Sequence, residues 1–327
     1  MLAAICTAYG GPDVVQLREV EMPVPKDKEV LIRIHATTVA SGDCRIRASN
    51  FPRGFGLAGR LIFGTSRPRQ PILGTECSGV IEATGPAVTR FRPGDTVIAF
   101  GGAGFRCHAQ YRTMREDGAL VAKPAGLGFE DAAAIAFGGT TALHFLRGLG
   151  RLQRGERVLV NGASGCVGVA AVQFAKYLGA HVTGVCSGAK AELVRSLGAD
   201  AVIDYGSVDF ATSGKRWDII LDTVGNAPFA RTRNALNENG RLLLVASGLP
   251  DLLKAPFQSM MSGRKVAGGP APERSEDLAL LATLCKAGTV RPVIDSTYPF
   301  DRIVEAHARA ESGRKTGSVV VTMDGRA

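Results

Sequence analysis

Apolar and polar positions divide the chain into three textures. Up to about residue 125, short alternating or wholly apolar runs (Val30 to His35, Gly79 to Thr84, Asp95 to Phe100) are separated by proline and glycine, which predicts a β-rich region. Residues 47 to 71 hold glycine, arginine and proline without a period and predict a long mobile loop. From about residue 127 helical and strand-like segments alternate. A helix is expected after Gly128, through Glu130 to Phe137. It is followed by strand Val158 to Asn161, helix Val167 to Leu178, strand His181 to Cys186, helix Lys190 to Leu197 and strand Ala201 to Asp204. Strands Asp218 to Asp222 and Arg241 to Val245 come next. Such repeated β-α units, with Gly179-Ala180 and Gly198-Ala199 at helix exits, specify an α/β fold with a doubly wound parallel sheet. After about residue 262 the pattern loosens to a helix Ser275 to Ala287 and a final strand Val319 to Thr322. The expected division is therefore 1-126 (β-rich), 127-262 (α/β) and 263-327, a tail returning to the first domain.

The strand ending at Asn161 runs directly into Gly162, Ala163, Ser164, Gly165, Cys166, Val167 and Gly168, which open the next helix. Strand, glycine turn and helix start in this order predict a Rossmann dinucleotide site, the other reading being a glycine-rich helix start without a ligand. Glycines let the backbone approach a pyrophosphate, whose charge sits on the free amides and positive end of the helix. The spacing here is G-x-x-G-x-x-G rather than the commoner G-x-G-x-x-G. An NAD-selective site ends its second strand on an acidic residue that takes the ribose hydroxyls. This strand ends Cys186-Ser187-Gly188, with Lys190 beyond and no acidic residue before Glu192, which suits the extra phosphate of NADPH. Lys190 has a second reading as a solvated first-turn lysine.

Length and composition agree with two domains: 327 residues, 45% apolar and 21% charged. The net charge of +9 raises the question of nucleic acid, but the basic residues are scattered, with only short groups such as Arg67/Arg69 and Arg314/Lys315. No nucleic-acid partner is expected, and a small polyanion such as a dinucleotide fits the charge better. No apolar run approaches the length of a membrane helix, and Met1 leads straight into a strand-like segment. Seven widely spaced cysteines without a C-x-x-C pair read as reduced thiols, so a cytoplasmic location is expected.

The run Val158-Leu-Val-Asn-Gly-Ala-Ser-Gly-Cys-Val-Gly-Val resembles the zinc-free quinone oxidoreductase branch of the medium-chain dehydrogenase/reductase superfamily. So do Ala171 to Lys176, Gly179 to Val185, Leu197 to Asp200, Asp222 to Gly225 and Lys123 to Leu127. The likeness extends from Tyr9-Gly10 and Arg92 to Asp95 through Gly317 to Val321, and residues 48 to 70 stand apart from it. It implies a GroES-like β domain for substrate, a Rossmann domain for NADPH, an active cleft between them and a homodimer. It also implies that Gly165, Gly168, Lys190 and Tyr205 contact the adenosine phosphates and that Thr141 lies beside the cofactor. Ser187, Val224 and Ala246, at strand exits, complete the expected cofactor contacts. Relatives usually carry lysine where this chain has Ser318, so a phosphate contact there is in question and Lys315 is the nearby substitute.

Zinc-dependent relatives hold their metal with Cys-x-x-Asp and Gly-His-Glu, because zinc needs thiolate or imidazole ligands. Here those positions read Ala40-x-x-Asp43 and Gly74-Thr75-Glu76, and no cluster of cysteines near Cys107 matches a structural zinc lobe. Cys44, Cys77, Cys107 and His108 could assemble another site or be buried thiols beside an ordinary histidine. No metal is expected. Without a Lewis acid, hydride transfer favours acceptors whose reduced form spreads its charge, namely a quinone or an α,β-unsaturated carbonyl. The candidate catalytic residues are Asp43, Arg45 and Thr75. Arg45 stands where many relatives place a tyrosine. It either faces a developing oxyanion or pairs with a surface carboxylate. Asp43 either serves the chemistry or closes a turn. Rival readings are a zinc-free alcohol or aldehyde oxidoreductase and a catalytically idle NADPH-binding protein that acts through protein contacts.

Overall fold

The computed structural model describes residues 1–323, which form two compact units. The first comprises Met1–Phe51, Gly56–Thr140 and the chain from Glu273, and the second Pro52–Phe55 with Thr141–Pro272. In chain order the first stretch holds β1 (Leu2–Cys6), β2 (Val15–Glu19), β3 (Glu29–Val39), α1 (Ser41–Arg47), α2 (Gly56–Phe63), β4 (Glu76–Thr84), β5 (Thr96–Phe100), β6 (Tyr111–Arg115), β7 (Leu120–Ala122), α3 (Phe129–Ala134) and α4 (Ala136–Leu143). Next come β8 (Arg157–Asn161), α5 (Cys166–Tyr177), β9 (His181–Cys186), α6 (Ala191–Ser196), β10 (Ala201–Asp204), β11 (Trp217–Asp222), α7 (Phe229–Thr232), β12 (Leu236–Leu244), α8 (Leu249–Ser262) and β13 (Lys265–Gly268). Last are α9 (Ser275–Lys286), β14 (Ile294–Pro299), α10 (Ile303–Glu311) and β15 (Ser318–Thr322).

The first unit is built on a seven-stranded sheet of order β14-β15-β3-β4-β5-β7, with β6 also paired to β3, beside the separate antiparallel pair β1-β2. β15 packs antiparallel to β3 through Val319↔Val39 to Thr322↔Ala36. Inward-facing residues of this sheet, among them Ile32, Ile81, Val97 and Leu120, make one core, and α10 closes a second with Ile303, Ala306 and Val319.

The second unit is the expected doubly wound sheet: six strands, all parallel, in the order β10-β9-β8-β11-β12-β13. Its central strands are apolar on both faces because both faces are covered; Val158, Leu159, Val160, Ile219, Ile220 and Leu221 are fully buried. Trp217 and Phe210 pack edge to face within this core. The order reverses between β8 and β11, and there the connections leave in opposite directions and open a crevice at the carboxyl ends of the strands.

Residues 47 to 71 depart from the expected long loop, since α2 forms inside them. The helix is held by the Phe51 ring, which lies so close to Gly59 that a Cβ there would come within 2.6 Å of it. That is a tertiary contact with no periodic signature. Among the described residues, no helix is long and apolar enough to cross a membrane.

Candidate functional site

The glycine turn after β8 has the backbone that its sequence demands. Gly162 takes φ +85, and a Cβ there would lie 2.5 Å from Thr223 Oγ1. Gly165 is the extended N-cap of α5, and Gly168 lies in its first turn so close to the loop that a Cβ would meet Gly162 O at 2.1 Å. Gly184 on β9 allows a similar approach to Ala163, at 3.0 Å. The turn is therefore pulled tightly onto the sheet. The amides of Val167 and Gly168 have no intrahelical acceptor and stand at the positive end of a twelve-residue helix. This is the geometry that cradles a pyrophosphate, and the residues present fit a dinucleotide.

Beside the turn, at the order reversal, Asn161 ends β8 and Asp222 ends β11, as register partners. The fully buried Asp222 carboxylate accepts from Asn161 Nδ2 at 2.8 Å, from the amides of Val224 and Gly225 at 3.1 Å and from Ala227 N at 2.9 Å. Asn161 Nδ2 also donates to Asn226 Oδ1 at 2.7 Å, and Thr223 Oγ1 donates to Asn161 O at 2.7 Å. One carboxylate thereby shapes the exit loop of β11 and leaves Val224 half exposed at its tip. Gly225, at φ +90, lies 2.8 Å from Ala246 O by its would-be Cβ, so the loops bearing Val224 and Ala246 touch. Asn161, Asp222 and Gly225 were not among the expected site residues. For Asn161 and Asp222 the signal was a polar residue that closes a central strand directly after three apolar ones.

Ser187 caps the short turn Gly188–Lys190, with Lys190 N bonded to Ser187 O at 2.9 Å. The fold adds a group that the reading of β9 alone misses. β10 pairs with β9 so that Asp204 stands opposite Cys186, and its carboxylate lies 2.7 Å from the would-be Cβ of Gly188. A carboxylate thus flanks the turn that ends in Lys190. Tyr205, next in the chain, is 67% exposed.

In the first unit Asp43 is fully buried, with Oδ2 accepting from Ala40 N at 2.8 Å and Oδ1 from Gly74 N at 3.0 Å. Burial raises its pKa, against the pull of nearby His108 and of the two amides. Asp43 therefore ties the start of α1 to the Gly74-Thr75-Glu76 segment. Gly74 takes φ +87, and a Cβ would strike the His108 ring, at 2.4 Å. Glu76 is buried as well and accepts hydrogen bonds from Thr38 Oγ1 and Phe137 N. Burial pushes its pKa up to about 8, opposed by those two donors and assisted by Asp43 and Cys107. The Thr75 hydroxyl is buried without a hydrogen-bond partner. Arg45 is exposed on α1, and Thr141 is buried in α4. Ser318 donates to Ala134 O at 3.1 Å, and Lys315 Nζ to Gly317 O at 2.7 Å. Among the described residues no three His, Cys, Asp or Glu side chains converge as a metal site.

Comparison with known proteins adds independent findings. Residues 26–144 match the alcohol dehydrogenase GroES-like domain and residues 197–321 the family described as zinc-binding dehydrogenase. The chain is 31% identical over 332 residues to a chloroplast envelope quinone oxidoreductase homolog of Arabidopsis thaliana, covering 95% of each chain. The structure of the quinone oxidoreductase from Coxiella burnetii superposes with TM-score 0.88 at 26% identity, over 99% of both chains. A mycobacterial protein complexed with NADPH superposes with TM-score 0.81 at 26% identity, over 98% of this chain and 100% of that one.

Proposed function

Because the chain belongs to the quinone oxidoreductase branch of the medium-chain dehydrogenase/reductase superfamily, a group of nicotinamide-dependent oxidoreductases, we propose that it uses NADPH to reduce a quinone or an α,β-unsaturated carbonyl without zinc. The observation that carries the reading is Thr75, a buried hydroxyl without a partner at the position where zinc-dependent relatives place a histidine. Ala40 offers no ligand atom at the other position, and both Asp43 oxygens already accept backbone amides. A set of donors like this holds no zinc.

The glycine turn Gly162 to Gly168 supports the pyrophosphate. Ser187, Lys190 and Tyr205 suit the adenosine phosphate, while Val224 and Ala246 line the loops beside it. When bound, the reduced nicotinamide supplies hydride. The Thr75 hydroxyl can donate to the substrate oxygen as negative charge gathers there, and Asp43 fixes the segment that carries it. One neutral donor stabilises a charge spread over an aromatic ring or enolate far better than it replaces a metal at a localised alkoxide. Arg45, exposed on α1, either adds a cation at the developing charge or stays a solvated surface residue.

A homodimer is part of this reading. Leu253, Phe257, Met260 and Met261 recur along α8 at 62 to 74% exposure, and β13 is an edge strand. The seven free cysteines fit a reducing compartment such as the cytoplasm. The test of function is steady-state NADPH consumption with quinones, enones, ketones and aldehydes. We expect kcat/KM for a quinone or enone to exceed that for an unconjugated aldehyde by at least about 100-fold. An aldehyde turned over faster than every conjugated acceptor would overturn the reading.

A further inference from the structure

β4 and β6 bring together three side chains that play no part in binding cofactor or substrate. Cys77 lies on β4 and Cys107 shortly before β6, both fully buried, and the Cys77 thiol hydrogen-bonds to the Cys107 sulfur. Arg112 on β6 is only 5% exposed, and its Nη1 donates to Cys107 Sγ at 2.9 Å. A guanidinium withdrawn from water needs an anion against it. The Cys107 sulfur is the group in direct contact with it and is placed to supply that charge. Burial raises the Cys107 pKa, but the Cys77 hydrogen bond and Arg112 outweigh it and bring it to about 7. The same hydrogen bond, with burial, drives Cys77 upward. Of the two sulfurs, Cys107 is therefore the more acidic and Cys77 the less.

The segment leading into Cys107 is strained. Phe105 and Arg106, immediately before Cys107, take φ 51 and 71, a region that side chains other than glycine rarely enter. Gly101, Gly102 and Gly104 precede them, and a Cβ on Gly101 would lie 2.2 Å from Arg112 Nη1. A glycine-rich, strained segment leading into a buried sulfur can open locally without global unfolding, which gives a small oxidant a route.

We propose that Cys77 and Cys107 are an oxidisable dithiol, a modification site at which a peroxide converts the pair into an internal disulfide. The Cys107 thiolate attacks one peroxide oxygen; the O–O bond breaks, hydroxide leaves, and Cys107 becomes a sulfenic acid. The Cys77 sulfur then attacks the Cys107 sulfur. The S–S bond forms as the S–O bond breaks, and the leaving hydroxyl departs as water with the Cys77 proton. Two thiols lose two electrons in total, and one hydrogen peroxide becomes two waters once the hydroxide takes up the proton that the Cys107 thiol had released.

The purified full chain is treated with a few equivalents of hydrogen peroxide, quenched, alkylated under denaturing conditions and mapped by peptide mass. We expect a linked Cys77–Cys107 peptide pair, two hydrogens lighter and reversed by dithiothreitol, before modification of the half-buried Cys166 and Cys285. Arg112→Met should slow its formation about tenfold or more at neutral pH, and Arg112→Lys should restore most of the rate. If Arg112→Met does not fold, Cys107→Ser serves instead and must leave Cys77 fully alkylatable after peroxide. Cys77 and Cys107 remaining alkylatable while other cysteines react, or Cys107 passing to a sulfinic acid with Cys77 free, would overturn the proposal.

Discussion

Asn161 donates through Nδ2 to Asp222 Oδ1 at 2.8 Å, joining the carboxyl ends of β8 and β11 at the point where strand order reverses. The contact matters because the same carboxylate also receives three backbone amides of the loop that follows. Replacing Asp222 by alanine leaves those donors buried without an acceptor. We expect Asp222→Ala to lose about 2 to 4 kcal/mol of stability in urea unfolding. Cofactor affinity should fall at least about tenfold by fluorescence titration. A variant within about 0.5 kcal/mol of wild type, with unchanged affinity, would contradict the positioning role.

On the proposed function, the balance between Lys190 in the turn after β9 and the Asp204 carboxylate beside it sets cofactor preference. NADPH should bind at least about tenfold more tightly than NADH, because one charge-assisted phosphate contact reaches that size. Lys190→Ala should narrow the ratio. Asp204→Asn, which removes the carboxylate near Gly188, should widen it. Equal dissociation constants in the wild type, or a ratio that Asp204→Asn leaves untouched, would count against this account.

Glu76 makes stability depend on pH. Its folded pKa of about 8 lies above the ordinary carboxylate value of 4.5, so the folded state binds more protons than the unfolded state between those limits. The contribution is therefore fully present below about pH 4.5 and declines as pH rises through about 8. Glu76→Gln keeps an oxygen for Phe137 N and presents an amide to Thr38. Its unfolding free energy should fall less steeply than that of the wild type between pH 5 and pH 8. Parallel curves for the two proteins would remove the argument.

Protein prepared without added zinc should contain well under one equivalent by metal analysis, and chelation should leave its activity intact. Stoichiometric zinc lost together with activity would reverse the assignment of Thr75 and Ala40 as non-ligands.

Arg45→Ala separates the two readings of that arginine. If the guanidinium faces the developing charge, kcat/KM for a quinone should fall by the equivalent of about 1 to 3 kcal/mol. A variant indistinguishable from wild type would return Arg45 to the solvated surface.

Much of the second unit was legible because its signals are local. Val158 to Asn161 and Asp218 to Asp222 read as buried strands from their apolar runs, and the glycine turn reads from its place between strand and helix. What was not legible depends on contacts distant in sequence. α8 carries Pro256 in its interior, which reads as a break. α10 buries Ile303, Ala306, His307 and Ala310, a helical stripe whose small and polar members give little hydrophobic contrast. Asp204 is an ordinary strand-end residue until parallel pairing sets it beside the turn after β9. The unpartnered Thr75 hydroxyl is a property of its surroundings, which no spacing encodes.

The insertion of β15 between β14 and β3 bears on how a ribosome can deliver this protein. The second unit is contiguous apart from Pro52–Phe55, so its nascent chain can fold as soon as Pro272 has emerged. The first unit cannot. β3 is synthesised early, yet the neighbour that covers Ala36 to Val39 arrives only with residues 319 to 322. For most of translation a strand edge with unpaired backbone groups waits open, the kind of surface on which chains join one another. A chain stopped before Ser318 would keep that edge for good, and its fate is aggregation even though its dinucleotide half is complete.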